Sequence, residues 1–132
     1  MSVEVEPLED PERWNGIVER SPQGTPFHRS ESLDVLAEFA GMTAHHLAGF
    51  VGQEPVGLFP LFTRRKGPVS AAFSPPPELK LPYLGPVLTN MAKLKRRKRD
   101  RRHSDFIEAV LNWLDRHHDP QYVNVRTVPA YD

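Results

Sequence analysis

The sequence contains no cysteine, and this absence excludes disulfide bonds, thiolate metal sites and a cysteine nucleophile. Long apolar runs are missing too: hydrophobic residues make up 39% of the chain but are dispersed along it, which argues against a membrane-spanning helix. Residues 1–12 are acidic and polar, so the basic and then apolar pattern of a secretory signal is absent. We therefore predict a cytoplasmic protein.

The chain also has no net charge, because 17 Lys and Arg residues balance 17 Asp and Glu residues. That balance conceals a strong local asymmetry. Residues 1–92 carry 7 basic and 11 acidic side chains. Residues 93–102 carry 8 basic and 1 acidic side chain, and residues 103–132 carry 2 basic and 5 acidic ones. A basic segment, residues 93–102, therefore lies between two acidic stretches.

Proline, in contrast, is abundant, with 14 residues against about seven expected from average usage. Many of them lie between Pro55 and Pro86, which predicts stiff connections in the middle of the chain. A length of 132 residues, 26% of them charged, fits one folded domain and excludes a second full one. We expect a single domain over residues 1–132.

Three segments show the apolar spacing of amphipathic helices. The first begins behind an Asp-Pro pair, and the second is stopped by Gly41. In the third, apolar residues recur from Phe106 onward, whereas the same face carries only basic residues before it. We predict helices at 11–20, from Ser30 or Ser32 to 40, and at 90–118, the last with its first turns in solvent.

Strands are predicted where β-branched and aromatic residues alternate or form short apolar runs between turn residues. Pro60 lies inside one of these runs and implies a bulge or a locally open sheet edge, since proline cannot donate to a ladder. The predicted strands are 2–6, 43–51, 56–62, 83–88 and 121–128, with a further short one at 69–73.

The resulting order is β-α-α-β-β-(β)-β-α-β. It predicts an α/β (α+β) fold in which helices flank a mixed, mostly antiparallel sheet.

Four segments resemble the N-terminal, GNAT-like half of FemAB-type acyl and aminoacyl transferases, especially the archaeal members. They are SPQGTPFHRSESLDVLAEFAG (21–41), VGLFPLFTRRKG (56–67), FSPPPELKLPYLGPVL (73–88) and LKRRKRDRRHSDFIEAVLNWL (94–114). The resemblance covers nearly the whole chain and concerns framework segments. It implies the acyl-CoA N-acyltransferase fold without its C-terminal part, and hence a truncated or split relative.

The sequence departs from this family at the loop that binds the cofactor. GNAT enzymes hold the acetyl-CoA pyrophosphate on backbone N–H groups of a glycine-containing loop that leads into a helix. The corresponding junction here, LTNMAKLKRRKRDRRHSD (88–105), contains no glycine. The resemblance then implies an acceptor-side lobe, with acetyl-CoA or aminoacyl-tRNA as a donor that this chain does not bind alone.

The implied partners are a missing C-terminal lobe or a second copy of the chain. Either would cover the open edge of the last predicted strand, because an unpaired strand edge tends to associate. A membrane partner is not expected.

His28, Tyr83 and Gly85 are the candidate substrate-binding residues. His28 directly precedes a helix and can present a polar ring at a cleft, or alternatively it caps and packs as a turn residue. Tyr83 and Gly85 belong to a rigid, proline-bounded stretch that the resemblance places near the acceptor. The alternative for this stretch is a loop that only covers the sheet.

The basic segment also has two interpretations. It can be an electrostatic footprint for the phosphates of tRNA, another nucleic acid or a phosphorylated substrate. It can equally be a solvated helix extension, since no aromatic residue is present for base stacking. The candidate anion-binding residues are Lys95, Arg96, Arg97, Lys98, Arg99, Arg101 and Arg102.

No metal site is predicted, and no side chain is assigned a catalytic role. His45 and His46 are neighbours on a strand and face opposite sides, while His117 and His118 lie at a helix end.

Two hypotheses about the function of the chain remain. One is the framework lobe of an N-acyltransferase that transfers an acetyl or aminoacyl group to an amine. The other is a small nucleic-acid-binding or adaptor module that uses the basic segment.

Overall fold

The computed structural model describes residues 3–22, 24–76, 84–89, 95–118 and 120–125, and of Lys66 the backbone alone. Three α-helices and six strands lie within these ranges, which confirms the predicted class of helices around a mostly antiparallel sheet. None of the helices within the described ranges is long and apolar enough to cross a membrane.

The strands are β1 (Glu4–Pro7), β2 (Thr43–Val51), β3 (Glu54–Lys66), β4 (Val69–Ser74), β5 (Val87–Leu88) and β6 (Tyr122–Val125). They form one sheet in the order β1-β2-β3-β4-β6, and β5 pairs with β3 on the same edge as β4. Pairing is antiparallel except between β4 and β6, which are parallel and joined through a helical crossover.

The first helix, α1 (Pro11–Arg20), begins and ends where the sequence predicts. Asp10 Oδ1 accepts hydrogen bonds from the backbone N–H groups of Glu12 and Arg13, so it satisfies donors that the first helical turn leaves unpaired. The second helix, α2 (Ser30–Ala40), stops at Gly41 in the left-handed conformation, at φ 67°. Both helices pack on one face of the sheet, around buried Trp14 and Leu33.

The third helix, α3 (Arg96–His117), is continuous and covers the opposite face. Its buried Phe106 ring lies over Gly49 and Gly57, which face each other across β2 and β3. A Cβ added to either glycine would come within 2.7 Å of that ring. The two glycines therefore form a recess that holds α3 close to the sheet.

The basic turns of α3 precede this anchor. The four residues 95–98 are exposed, whereas Arg99 and Arg102 are half-buried. The predicted start of this helix at Asn90 is wrong, because Lys95 has the extended backbone of an N-cap, at φ −66° and ψ 152°, and the helix begins at Arg96. The predicted end of the last strand at Val128 lies outside the described residues. The expectation that the early turns stand in solvent is confirmed for Arg96 to Lys98.

Pro60 lies at a gap in the pairing of β3. On the edge of β3 that faces β4, residues 62–66 pair with β4 and residues 57–58 pair with β5. Within the described ranges, residues 59–61 between them have no ladder partner on that edge. The locally open edge is thus correct, whereas the bulge of this hairpin lies at Gly49 and Phe50 of β2.

Candidate functional site

The gap in β3 lies beside the end of the parallel strand pair. Ser74, the last residue of β4, pairs with Val125 of β6 and is fully buried. Its hydroxyl donates to the carbonyl oxygen of Pro60 at 2.6 Å and accepts from the backbone N–H of Gly85 at 3.0 Å. One side chain therefore bridges the gap and fixes the segment that leads to β5.

His28 reaches the same segment from the other side. The Thr25 backbone N–H donates to His28 Nδ1 at 3.2 Å, so the proton of the neutral ring is on Nε2. Nε2 then donates to the carbonyl oxygen of Leu84 at 3.1 Å. Burial lowers the pKa of His28, although the backbone carbonyls of Leu84 and Gly85 act in the opposite direction. The buried ring therefore stays neutral around pH 7.

Two hydrogen bonds also connect α1 and the residue that follows it to His28 and to β5. The carbonyl oxygen of His28 accepts a 2.6 Å hydrogen bond from Trp14 Nε1 of α1. Ser21, just after α1, donates its hydroxyl to the carbonyl oxygen of Leu88 at 2.5 Å. We call the set Ser74, His28, Leu84 and Gly85 the β4 junction. It connects the end of the parallel pair to the α1 side of the sheet.

The structure thus brings together two of the three candidate substrate residues. Gly85 is buried and has a φ of 59°, a left-handed value that suits glycine. His28 caps and packs, as its alternative interpretation proposed, and both ring nitrogens already have partners. Tyr83 lies outside the described residues. Sequence reasoning missed Ser74, because nothing in the SPPP motif indicates that its hydroxyl would bridge three chain segments.

The basic segment forms a separate candidate site on the first turns of α3. Lys95 occupies the N-cap position without a side-chain cap, so the first N–H groups of the helix reinforce the positive charge there. Arg99 Nε is buried and, within the described ranges, has no hydrogen-bond acceptor. An anion placed at this end of α3 would meet exposed cations and the first N–H groups of the helix.

A histidine cluster around Trp113 is a feature that sequence reasoning did not find. His117 stacks on the indole of Trp113 at 4.5 Å between ring centroids, and the ring of His118 lies 4.5 Å from that of His45. His45 Nε2 lies 2.8 Å from Thr63 Oγ1. The residues come from β2, β3 and the end of α3, so their proximity depends on tertiary packing.

Burial lowers the pKa of His45 to about 4, with further lowering by the nearby charges of His118 and His46. Because protonation is suppressed in the folded state, the stability gained from neutral His45 is complete above pH 6.5 and is lost as the pH falls toward 4. We expect wild type to lose about 1 kcal/mol more than His45→Gln between pH 7 and pH 5, after allowance for solvent screening. Urea unfolding of both proteins at the two pH values measures this difference. Equal losses would contradict it.

Within the described ranges, no group of three or more His, Asp or Glu residues is arranged to hold a metal ion. The prediction that His45 and His46 face opposite sides is confirmed: His45 lies against Trp113 of α3, and His46 lies against Trp14 of α1.

Comparisons with protein-family models, with curated proteins and with solved structures gave no match.

Proposed function

We propose that the chain is the acceptor-side lobe of an N-acyltransferase of the FemAB-like or GNAT-like kind. In this role it positions an amine for attack on an activated acyl group, either acetyl or aminoacyl. Amide formation of this type depends on orientation and on N–H donors for the developing oxyanion, more than on a special side chain. A framework lobe without a catalytic motif is consistent with that chemistry.

The β4 junction is the observation that carries the proposal. In open α/β sheets, ligands bind outside the carboxyl ends of parallel strands. β4 and β6 are the parallel pair here, and two independently predicted substrate residues, His28 and Gly85, meet where β4 ends. Because both are buried, we assign them a positioning role: with Ser74 they fix the proline-bounded segment against which the amine binds.

The acyl donor is not assigned to this chain. A glycine loop that lets the backbone approach a pyrophosphate closely is absent from residues 88–105, and the first turn of α3 instead presents exposed Arg96, Arg97 and Lys98. Such side chains can contact phosphates but do not form that cradle. Acetyl-CoA or aminoacyl-tRNA would therefore bind mainly to a second lobe or a partner.

A variant of Ser74 tests the proposed acceptor role. Ser74→Ala leaves the Gly85 N–H and the Pro60 carbonyl without their shared partner, so the segment that binds the amine loses its fixed position. Removing one partner of a buried hydrogen bond costs about 1–2 kcal/mol of free energy. If that free energy is lost from lysinamide binding, the affinity falls by about 10-fold. Thermal-shift titration with lysinamide, compared with acetyl-CoA, measures the effect.

Ser104→Ala is the matched control, because Ser104 is exposed on α3. It should bind lysinamide like wild type. Acetyl-CoA should stabilise none of the three proteins. Stabilisation by acetyl-CoA alone would contradict an acceptor-side lobe, and so would an identical lysinamide response in Ser74→Ala.

A second candidate function is polyanion binding through the basic segment. The favouring observation is the continuity of α3, which places Arg96, Arg97 and Lys98 on exposed turns at a helix N-terminus. Contacts of this kind read phosphate rather than base sequence, and they weaken steeply with salt. This function is compatible with the first, because a tRNA-borne donor would need such a surface.

A further inference from the structure

A polar groove lies on the opposite side of the sheet from α3, and neither proposed function uses it. Its volume is about 300 Å3, and its walls come from β1, α1, α2 and β2. Ser30, Asp34 and His46 line it together with Glu9 and the prolines at 7 and 11. Among the residues that the structure describes, no Lys or Arg lines the groove.

Three of these side chains are arranged as nucleophile, base and orienting acid. His46 Nε2 lies 3.2 Å from Asp34 Oδ1, and His46 Nδ1 lies 3.5 Å from Ser30 Oγ. A carboxylate only accepts hydrogen bonds, so Nε2 carries the ring proton and the lone pair of Nδ1 faces the Ser30 hydroxyl. Distances of this kind are often longer without substrate and shorten in the complex.

Local structure fixes each member of the set. Ser30 and Asp34 are four residues apart on α2, so both project toward the same face. The Ser30 backbone N–H donates to Asn15 Oδ1 at 2.8 Å, and the ring of Trp14 lies 5.1 Å from that of His46. The His46 side chain is 14% exposed and that of Asp34 is 69% exposed, so the base is sheltered while the groove stays open.

Arg29 does not compete with His46 for the Asp34 carboxylate, because Arg29 pairs with other acidic residues. Arg29, the nearest cation in sequence, pairs with Glu19 at 3.0 Å and with Glu31 at 2.8 Å. The carboxylate of Asp34 therefore remains available to His46.

We propose that Ser30 is an acyl-accepting nucleophile, with His46 as its general base and Asp34 as the group that orients His46. The proposal stands apart from the acceptor-lobe function and from the basic segment. The same triad logic occurs on unrelated folds and is recognised by geometry, not by sequence order. In this chain the order is Ser, Asp, His, with the first two on one helix.

The reaction is acyl transfer from an activated ester to water. Ser30 Oγ attacks the ester carbonyl carbon and its proton moves to His46 Nδ1. The bond from the carbonyl carbon to the leaving oxygen then breaks, and that oxygen takes the proton from Nδ1. Water attacks the acyl-Ser30 ester and gives one proton to Nδ1. The bond to Oγ breaks, Oγ recovers the proton, and a carboxylic acid and an alcohol are released.

The groove restricts the substrate class. A volume near 300 Å3 suits a small acyl ester, at the low end of ligand pockets in proteins. The carboxyl groups of Glu9 and Asp34 disfavour anionic substrates, so a neutral or cationic ester is expected.

The test uses the whole chain and p-nitrophenyl acetate. Wild type should release p-nitrophenol and gain one acetyl group, which peptide mapping should locate on Ser30. Ser30→Ala should abolish that acetylation, and His46→Gln should slow it by about 10²–10⁴-fold. Ser30→Cys keeps a nucleophile at the site and should restore acylation. Ser104→Ala should behave like wild type.

Ser30→Ala keeps the backbone bond to Asn15, and circular dichroism checks that each variant is folded. Acetyl groups found only on lysine or at other surface sites would overturn the proposal. An unchanged rate of p-nitrophenol release in folded Ser30→Ala would overturn it too. Because neither result involves amine binding or nucleic acid, such a failure leaves the other proposals unaffected.

Discussion

Replacing Arg96, Arg97 and Lys98 by glutamine should lower the affinity of the chain for duplex DNA or RNA by about 10²–10³-fold at about 0.1 M salt. Each cation that neutralises a phosphate releases a condensed counterion, and three lost contacts lower the slope of log Kobs against log salt by about 3. The three residues are exposed at the N-terminus of α3, where the helix dipole adds to their charge. Fluorescence anisotropy across a salt series measures both quantities.

The chain offers a matched control with the same three-residue sequence. Arg64, Arg65 and Lys66 form a second Arg-Arg-Lys run, at the end of β3 just before the turn to β4. Their replacement by glutamine changes the net charge equally but leaves α3 intact, so it should have little effect. Equal losses in the two triple variants would show that net charge, and not the basic segment, governs binding.

Gly57→Ala should destabilise the fold by about 3 kcal/mol, at the upper end of what overpacking costs. The added Cβ would lie 2.7 Å from the Phe106 ring and 2.8 Å from the carbonyl oxygen of Val87. Because the added methyl group would clash with a ring and with backbone at once, a change of one side-chain rotamer cannot remove both clashes. Either α3 or β5 must therefore shift. Urea unfolding monitored by tryptophan fluorescence measures the loss.

Replacing Gly16 by alanine should have the opposite effect on the stability of the fold. A Cβ at Gly16, inside α1, would have no atom within 4 Å, and alanine favours a helix by about 0.5–1 kcal/mol over glycine. Gly16→Ala should therefore be stabilising. A neutral or stabilising effect of Gly57→Ala would contradict the close packing of Phe106 against the sheet.

The helices and most strands could be predicted because their signals are local. Asp10 and Pro11 define the start of α1, Gly41 defines the end of α2, and apolar spacing around Phe106 defines the buried face of α3. Each feature depends on residues a few positions apart. The same local reasoning predicted that Pro60 marks either a bulge or an open edge, and the open edge is the alternative that the structure has.

The sites depend on long-range contacts, and their geometry could not be predicted. Ser74 meets Pro60 and Gly85 across three segments, and His46 meets two residues of α2 from a neighbouring strand. A residue list identifies the groups but not these distances. The sequence shows only that Ser30 and Asp34 are four residues apart on a predicted helix. This spacing does not indicate a site unless the position of His46 is also known.

An acceptor amine that binds beside the β4 junction should be visible by NMR when isotope-labelled protein is titrated with lysinamide. We expect the backbone amide signals of Leu84 and Gly85 and the ring signals of His28 to shift together, with one dissociation constant, while those of Ser104 do not move. Shifts confined to the groove around His46 or to the basic segment, or no shifts at all, would contradict it.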